Sequence, residues 1–373
     1  MFIGVLSIVL IYTAGAVVRD IFVATEEQKD GRAVTFEATM PFGVLSQQRT
    51  RQVIAVLERR VVAQGGAYAL VSSVAGRVGH PELIGSAGLP DATITLIAGR
   101  LDGVRRLPVL RGRWLSADKA IYPAQLLVNQ AGAGLYGGLG TSLEIQPTLH
   151  QPPYEARIVG VIADGDTTPN VYASLTTALA FRPVVFSSGD APDLFIHHPT
   201  APDSAIHGLI DNIETDLSVD PTQVEPHRYD RVAQLLANLR ATQRAFLGVA
   251  VIALAVAVIG MLNIGLASVR ERSRELVIRR AVGATRARVF GLVLLSAVTI
   301  GVLSGLVAVA IALASVLLVI PHLLDPARAL NDPAFPWSAA IAGLAAAIGA
   351  AVLGGAVPAF TASRIDVAYA LRD

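Results

Sequence analysis

Four stretches of the chain are built almost wholly from apolar residues. They occupy residues 1–18, 245–269, 289–321 and 333–363, and none of them contains a charged side chain. An apolar helix of about 20 residues crosses the hydrocarbon core of a bilayer. The pattern therefore predicts four transmembrane helices, of which the third and fourth are placed near 290–320 and 337–360.

The first stretch allows a second interpretation because it is the shortest. Its 18 residues resemble the apolar part of a secretory signal, and Ala14, Gly15 and Ala16 resemble a cleavage site. The stretch lacks the basic segment that such a signal carries. We expect a retained membrane helix, with a cleaved signal as the alternative.

Arginine is concentrated between the second and third apolar stretches. Only Glu271 and Glu275 oppose the arginines there, which are Arg270, Arg272, Arg274, Arg279, Arg280, Arg286 and Arg288. Basic residues in short loops mark the cytoplasmic side of a membrane protein. This loop is therefore predicted to be cytoplasmic, and residues 19–244 are predicted to form one long extracytoplasmic insertion.

The predicted architecture is an α-helical membrane protein with four transmembrane helices and a large α+β extracytoplasmic domain inserted between helices 1 and 2. The predicted segments are helix 1 (1–23), the extracytoplasmic domain (24–228), a stalk continuing into helix 2 (229–268), a cytoplasmic coupling loop (269–288), helix 3 (289–320), a short outer loop (321–336), helix 4 (337–360) and a cytoplasmic tail (361–373).

The large domain mixes strand and helix periodicity. Val34, Phe36 and Ala38 alternate as in a strand, and Ser46 precedes a helical pattern that ends at Gly65. Further strands are predicted at 92–98, 126–129, 143–146 and 157–162. The domain is therefore expected to be α+β.

Residues 229–246 carry an apolar seam at helical spacing and continue into the second membrane helix without a break signal. The seam consists of Val232, Leu235, Leu236, Leu239 and Phe246. Two interpretations remain open for this segment. It is either a rigid stalk that transmits movement or a helix that simply packs on the large domain.

Composition limits the chemistry of the chain. Hydrophobic residues make up 53% and charged residues 16%, against about a quarter charged in globular proteins. The net charge of +1 offers no general attraction to nucleic acid, so no nucleic-acid partner is predicted. Neither lysine, Lys29 or Lys119, follows a glycine, so the chain has no phosphate-binding loop of the G-x-x-x-x-G-K-[ST] type.

Candidates for catalysis and metal binding are weak. There is no cysteine, and the adjacent rings of His197 and His198 would diverge rather than share a metal. Asp164 and Asp166 lie in a turn that lacks the later ligands of a calcium loop. No ionisable residue lies inside the apolar stretches, which argues against an ion-coupled carrier. We predict no catalytic residue and no metal site.

Residues 269–284, VRERSRELVIRRAVGA, form the most informative motif. Glu271 with Arg274 and Glu275 with Arg279 have the spacing of ion pairs on a helix. The motif is predicted to be a short amphipathic helix at the inner membrane surface.

Three further residues complete this motif. Leu276 and Ile278 are predicted to make apolar contacts, and Gly283 permits a sharp reversal into the third membrane helix. Such an arginine-rich helix contacts either anionic lipid or a partner protein.

The motif resembles the cytoplasmic signature of FtsX-like permease subunits of MacB-type (type VII) ABC transporters, which reads approximately E-R-[ST]-R-E-[IL]-x-[IL]-R-[RK]-A-[LV]-G-A. One departure is Ser296, which stands where the family commonly has an acidic residue. The residues assigned to ATPase coupling by this resemblance are Glu271, Arg272, Arg274, Glu275, Ile278, Arg279, Arg280, Gly283 and Ala284.

Two further patterns are similar to the same family. Residues 112–114, 135–137 and 159–161 resemble landmarks of the MacB-type periplasmic core domain. The end of the sequence resembles the family's cytoplasmic tail motif, through Pro358, Arg364, Asp366 and Leu371.

The resemblance implies a non-catalytic permease subunit in the bacterial inner membrane, with a MacB-type periplasmic core domain outside. Its implied partners are an ABC ATPase dimer that binds ATP and Mg, a second permease protomer in a homodimer or heterodimer, an extracytoplasmic accessory protein or lipoprotein, and membrane lipid. Residues 271–284 would then convert closure of the ATPase into movement of the outer domain, which is called mechanotransmission.

Three functions remain in competition at this point. The first is ATP-driven export or extraction of a hydrophobic, peptide or lipid-linked substrate. The second is transmembrane signalling to a cell-wall hydrolase, or sensing of an antimicrobial peptide, without transport. The third is a membrane-anchored binding protein without an ATPase.

Overall fold

The computed structural model describes residues 2–41, 44–81, 89–116, 120–147, 152–181, 184–185, 192–323 and 334–365. The chain divides into two compact units. The helical unit comprises Met1–Ile21, Leu236–Leu324 and Asp332–Asp373, and the sheet unit comprises Phe22–Leu235 and Asp325–Asn331.

The described helices differ greatly in length. In chain order they are α1 (Phe2–Lys29), α2 (Gln47–Arg60), α3 (Leu101–Val104), α4 (Gln130–Tyr136), α5 (Leu175–Phe181), α6 (Asp203–Leu217), α7 (Val232–Glu271), α8 (Ser273–Ala281), α9 (Arg286–Ala314), α10 (Ile320–Leu323) and α11 (Trp337–Ser363). A π-helical turn, Ser315–Val319, joins α9 to α10.

Four helical segments among the described residues are long and apolar enough to cross a membrane. They are Ile3–Lys29, Val232–Glu271, Arg286–His322 and Trp337–Ser363. The first and second of these helices extend beyond the apolar stretches into charged sequence, since α1 continues to Lys29 and α7 begins at Val232.

The described strands all follow α1 and precede α7 in the sequence. They are β1 (Thr35–Thr39), β2 (Val44–Leu45), β3 (Ala67–Gly79), β4 (Asp91–Gly99), β5 (Val109–Gly112), β6 (Ala124–Asn129), β7 (Ser142–Gln146), β8 (Tyr154–Ile162), β9 (Val171–Ser174), β10 (Val184–Val185), β11 (Asp193–His197) and β12 (His227–Arg228). The strands predicted near 34–38, 92–98, 126–129, 143–146 and 157–162 are confirmed.

Ten of the described strands form one mixed sheet. Its order is β12-β1-β11-β3-β4-β9-β6-β8-β5, with β7 pairing with β3 and β8. The pairs β4 with β9 and β6 with β8 are parallel, and the other pairs are antiparallel. Strands that are distant in sequence are therefore neighbours in this sheet.

Both faces of the sheet are covered. On β3, Tyr68 and Leu70 face a core shared with α2, α5 and α6, whereas Ala69 and Val71 face a second core shared with α3. Burial on both faces removes the alternation of polar and apolar residues that marks a half-exposed strand. This explains why the periodicity did not predict β3.

Helix α2 follows the predicted pattern. The Ser46 side chain caps it by accepting a hydrogen bond from the Arg49 amide at 3.1 Å. Val53, Val56 and Leu57 are buried against the sheet. The amphipathic face and its cap therefore account for the position of this helix.

Small residues allow the helices of the helical unit to approach closely. Val5 and Val9 of α1 form one apolar cluster with Ala308 and Ala312 of α9 and with Ala347 of α11. Side chains as small as alanine let neighbouring helix backbones come near each other. Close packing of α1, α9 and α11 is the result.

Individual glycines make different contributions to this packing. A Cβ on Gly305 would lie 2.9 Å from Leu344 Cδ1, and one on Gly265 would lie 2.7 Å from Pro358 Cγ. A Cβ on Gly260 or Gly349 would meet no atom within 4 Å. The spacing of glycines alone therefore does not identify which of them pack within the unit.

Candidate functional site

The C-terminal end of α7 leads into the predicted coupling segment. Glu271 is the last residue of α7 and is exposed. The Arg272 amide still donates to the Ser268 carbonyl at 3.0 Å, but its backbone then leaves the helical region, with φ −97° and ψ 12°. The segment Ser273–Ala281 is consequently a separate short helix, α8.

One face of α8 is packed against the helical unit. Leu276 and Val277 are buried, and Leu276 clusters with Val269, Val289 and Ala362. These contacts come from the ends of α7, α9 and α11. The packed face holds α8 against three long helices.

The opposite face of α8 is exposed. Arg274 is exposed, as is Ile278, of which 61% is accessible. Glu275 and Arg279 form an ion pair at 2.5 Å with about half of each side chain accessible. The predicted pairing of Glu275 with Arg279 is therefore confirmed.

Leu276 makes the apolar contacts predicted for it, whereas Ile278 is 61% exposed and the buried neighbour of Leu276 is Val277. One prediction about α8 is wrong. Glu271 and Arg274, both described residues, form no ion pair, because the helix is interrupted at Arg272 between them. The continuous helical spacing assumed from the sequence does not exist there.

Arg280 ties α8 to the end of α11. Its Nη1 donates to the Ile365 carbonyl at 2.5 Å and to the Ser363 carbonyl at 3.4 Å. Carbonyl groups at the C-terminus of a helix lack helical partners and carry partial negative charge, so an arginine is stabilising there. This contact brings the coupling motif next to the tail motif.

The described part of the tail motif is well anchored. Pro358 lies inside α11 and packs against Gly265 of α7. The Arg364 guanidinium lies 4.2 Å from the centre of the Phe360 ring, within range of a cation–π interaction. Asp366 and Leu371 lie outside the described residues.

The chain reverses between α8 and α9 through a left-handed glycine. Gly283 has φ +104°, a backbone conformation that residues with a Cβ atom rarely adopt. The Ala284 amide donates to the Arg279 carbonyl at 3.0 Å, and the Thr285 side chain caps α9 by accepting from the Arg288 amide. The sharp reversal predicted at Gly283 is confirmed.

Asp230 lies just before α7 and binds the backbone that follows α1. Its side chain is fully buried, and Oδ2 accepts hydrogen bonds from the Val34 amide at 3.0 Å, the Thr35 amide at 3.2 Å and Arg228 Nε at 2.7 Å. The hydrogen bond to Asp230 raises the pKa of the Arg228 guanidinium. The segment after α1 and the segment before α7 are thereby joined, a contact that the sequence analysis missed.

The segment joined by Asp230 is strained. Val34 has φ +64°, which is unusual for a β-branched residue. Nearby, the Arg106 amide donates to the Glu27 carbonyl and the Arg32 amide to the Val104 carbonyl, both at 2.8 Å. Both hydrogen bonds are made by residues that precede Val34, and they hold the end of α1 to α3 and the residues that follow it.

Asp164 forms a closed hydrogen-bond network. Its carboxylate accepts from Asn129 Nδ2, the Asp166 amide, Asn170 Nδ2 and the Tyr172 hydroxyl, over distances of 2.7–3.1 Å. Burial, together with the nearby Asp164 charge, raises the pKa of Tyr172. The acceptor positions are taken by protein donors, so the carboxylate stabilises the turn. Among the described residues no group of His, Asp and Glu could hold a metal ion.

Two family models match the chain. A MacB-like periplasmic core domain matches residues 1–199, and an FtsX-like permease C-terminal domain matches residues 247–367. With its four long apolar helices, the chain has the characteristics of a multi-pass membrane protein of the permease class. It belongs to the FtsX-like, MacB-type permeases of ABC transporters.

Three curated proteins are similar over part of the chain. The macrolide export ATP-binding/permease protein MacB of Azoarcus sp. (strain BH72) is 27% identical over 317 residues, which cover 78% of this chain and 46% of the relative. The protein of the same name from Hyphomonas neptunium (strain ATCC 15444) is 34% identical over 151 residues, covering 39% of this chain and 22% of the relative.

The third relative is the uncharacterized ABC transporter permease YknZ of Bacillus subtilis (strain 168). It is 31% identical over 144 residues, covering 38% of this chain and 35% of the relative. The matched region spans less than half the length of each of these three relatives.

Proposed function

We propose that the chain is a non-catalytic permease subunit that couples ATP hydrolysis by a separate ATPase dimer to movement of its own sheet unit. The movement serves export or extraction of a hydrophobic, peptide or lipid-linked substrate. ATP and Mg²⁺ are bound by the partner, since this chain lacks a phosphate-binding loop of the G-x-x-x-x-G-K-[ST] type.

The exposed face of α8 carries this proposal. Ile278 and the Glu275–Arg279 ion pair lie on this face. On the other side of the helix Val277 is buried, and Arg280 donates a hydrogen bond to the Ile365 carbonyl. A helix that is packed on one face and exposed on the other can bind a partner protein through the exposed face. Movement of that partner would then be transmitted to the helices against which the other face packs.

The membrane orientation is inferred from charge. The exposed arginines beside α8 favour the cytoplasmic side for this helix. Because α7 crosses the membrane once before α8, the sheet unit then lies on the extracytoplasmic side, inserted between membrane helices 1 and 2. The bacterial inner membrane is the corresponding location.

The continuity of α7 supports the stalk interpretation. A single helix, Val232–Glu271, runs from the Asp230 network to the residue before Arg272. A continuous helix transmits displacement along its axis, which a flexible loop does not. A second permease protomer and an extracytoplasmic accessory protein or lipoprotein complete the proposed assembly.

Export is preferred to signalling because of the names of the relatives. The two MacB proteins are described as macrolide export proteins, and neither name refers to signalling. The substrate of this chain is proposed only as a chemical class.

The proposal is tested by reversing charges on α8 in the complex with its ATPase. Glu275→Arg and Arg279→Glu should each lower transport-coupled ATPase activity by at least about tenfold, because like charges then face the partner. The surface pair contributes only about 0.5 kcal/mol to the helix, so folding should be preserved. ATP hydrolysis and substrate export in proteoliposomes are the measurements.

A double exchange separates docking from helix stability. Glu275→Arg combined with Arg279→Glu retains an ion pair within α8 but presents the wrong charges to the partner, so coupling should remain lost. Arg286→Glu, an exposed change at the start of α9, serves as the control. Full activity in either single variant, or full rescue by the exchange, would contradict the proposal.

A further inference from the structure

A groove opens between α7, α8, α9 and α11 within the helical unit. Its volume is about 230 Å³. Gly355 and Pro358 of α11 are among the residues lining it, and Ile264 and Ile300 on its rim are 73% and 55% exposed. Exposed isoleucines at its rim make the groove accessible to apolar molecules around the helices.

Each of the two long walls of the groove contains residues spaced four apart along the chain, which lie on one face of a helix. They are Ile264, Ser268 and Arg272 on the α7 side and Leu292, Ser296 and Ile300 on the α9 side. Eight residues of α-helix span about 12 Å, close to the roughly 15 Å of one bilayer leaflet. The groove therefore has the length of a lipid chain within one leaflet.

Charge is confined to one end of the groove. Arg272, Glu275 and Arg279 line that end. Glu275 is already paired with Arg279, whereas the Arg272 guanidinium makes no hydrogen bond or ion pair within the described ranges. An unpaired cation at the end of an apolar channel favours an anionic head group with an attached hydrocarbon chain.

We propose that this groove binds an anionic phospholipid, with the phosphate at Arg272 and an acyl chain between α7 and α9. The site lies on the side of α8 where Leu276 is packed, away from the exposed Ile278. The lipid would fill the space beside α8 and hold the ends of α7 and α9 apart. Glu275 and Arg279 border both this groove and the face proposed to dock the ATPase, so lipid binding is tested on the chain without an ATPase.

Photolabelling of the full chain tests the proposal. The protein is reconstituted without an ATPase in phosphatidylcholine vesicles that contain a photoactivatable phosphatidylglycerol or, in parallel, a photoactivatable phosphatidylcholine. Labelled peptides are mapped by mass spectrometry. The phosphatidylglycerol probe should label peptides of 264–272 and 292–300, and unlabelled phosphatidylglycerol should compete.

Matched variants distinguish the groove from general lipid contact. Ser296→Phe fills the groove, and Thr299→Phe adds the same ring to an exposed α9 position outside it. Each hydroxyl bonds only to a carbonyl of its own helix, Ser296 to Val293 and Thr299 to Leu295, so the two changes lose similar hydrogen bonds. Ser296→Phe should reduce labelling at least about fivefold, and Thr299→Phe should leave it unchanged.

Arg272→Gln provides a second test that does not fill the groove. It should lower the preference for phosphatidylglycerol over phosphatidylcholine about fivefold. Equal labelling by the two probes in the unmodified protein would overturn the proposal. So would wild-type labelling of Ser296→Phe, or labels spread evenly over the exposed apolar faces of the helices.

Discussion

Asp230 shows how one buried residue can hold two distant parts of the chain. Its carboxylate binds the amides of Val34 and Thr35, which are 196 and 195 positions away in sequence. The strained backbone of Val34 is retained although such a conformation is unfavourable for a β-branched residue. The hydrogen bonds of Asp230 offset that strain.

Replacing Asp230 should open this connection. Asp230→Ala leaves the Val34 and Thr35 amides without their acceptor, and a hydrogen bond to a charged group contributes about 2 kcal/mol. We expect roughly 30-fold faster hydrogen exchange at these amides, measured by mass spectrometry of the full-length protein. Asp211→Ala, at an exposed position of α6, is the control and should change nothing at Val34. Unchanged exchange in Asp230→Ala would show that β1 is held by other contacts.

Arginines in the coupling motif have different roles that their sequence spacing does not distinguish. Arg279 pairs within α8, Arg280 reaches carbonyls at the end of α11, and Arg272 lines the groove. Spacing on a helix correctly predicted the Arg279 pair because that contact is local. The Arg280 contact joins residues 85 positions apart, so helical spacing could not predict it.

At the scale of elements, α8 shows that a helical pattern does not decide which positions are buried. The helix begins at Ser273, after the interruption at Arg272, and Val277 rather than Ile278 is buried against the helical unit. Amphipathic patterning identified a helix here because the period is a local property. Which positions face inward depends on the neighbouring helices.

The packing of α11 against α1 leads to a prediction about helix contacts. A Cβ on Gly343 would overlap Val9, whereas a Cβ on Gly349 would meet no atom within 4 Å. Gly343→Ala should therefore destabilise the helical unit by about 1–3 kcal/mol through overpacking. Gly349→Ala should be neutral or slightly stabilising because alanine favours a helix more than glycine does.

Thermal unfolding of the detergent-solubilised protein measures this difference. Val9→Ala removes the side-chain atoms that the new methyl group would overlap, so it should restore part of the stability lost in Gly343→Ala. Equal unfolding temperatures for the two glycine variants would contradict the packing described for α1 and α11.

At the scale of the whole molecule, α7 contributes residues to both compact units, as α1 also does. Residues up to Leu235 belong to the sheet unit and those from Leu236 to the helical unit. Proposed transmission between α8 and the sheet unit therefore depends on the integrity of this helix.

A proline tests that dependence. Arg240→Pro removes a helical hydrogen bond and introduces a clash with the preceding turn, at a cost of about 3 kcal/mol. We expect loss of export while the ATPase still binds, measured by transport in proteoliposomes and by co-purification. Arg240→Ala at the same exposed position is the control and should retain export. Wild-type export by Arg240→Pro would show that α7 does not act as a rigid stalk.

The sequence by itself determined the four apolar helices, the cap of α2, the five predicted strands and the reversal at Gly283. These features depend on length, periodicity and backbone preference within a short segment. Only the tertiary structure decided the order of the sheet, the burial of both faces of β3, the Asp230 connection, the Arg280 contact with α11 and the groove at Arg272. Each of these depends on which residues far apart in the chain become neighbours, and no local pattern encodes that choice.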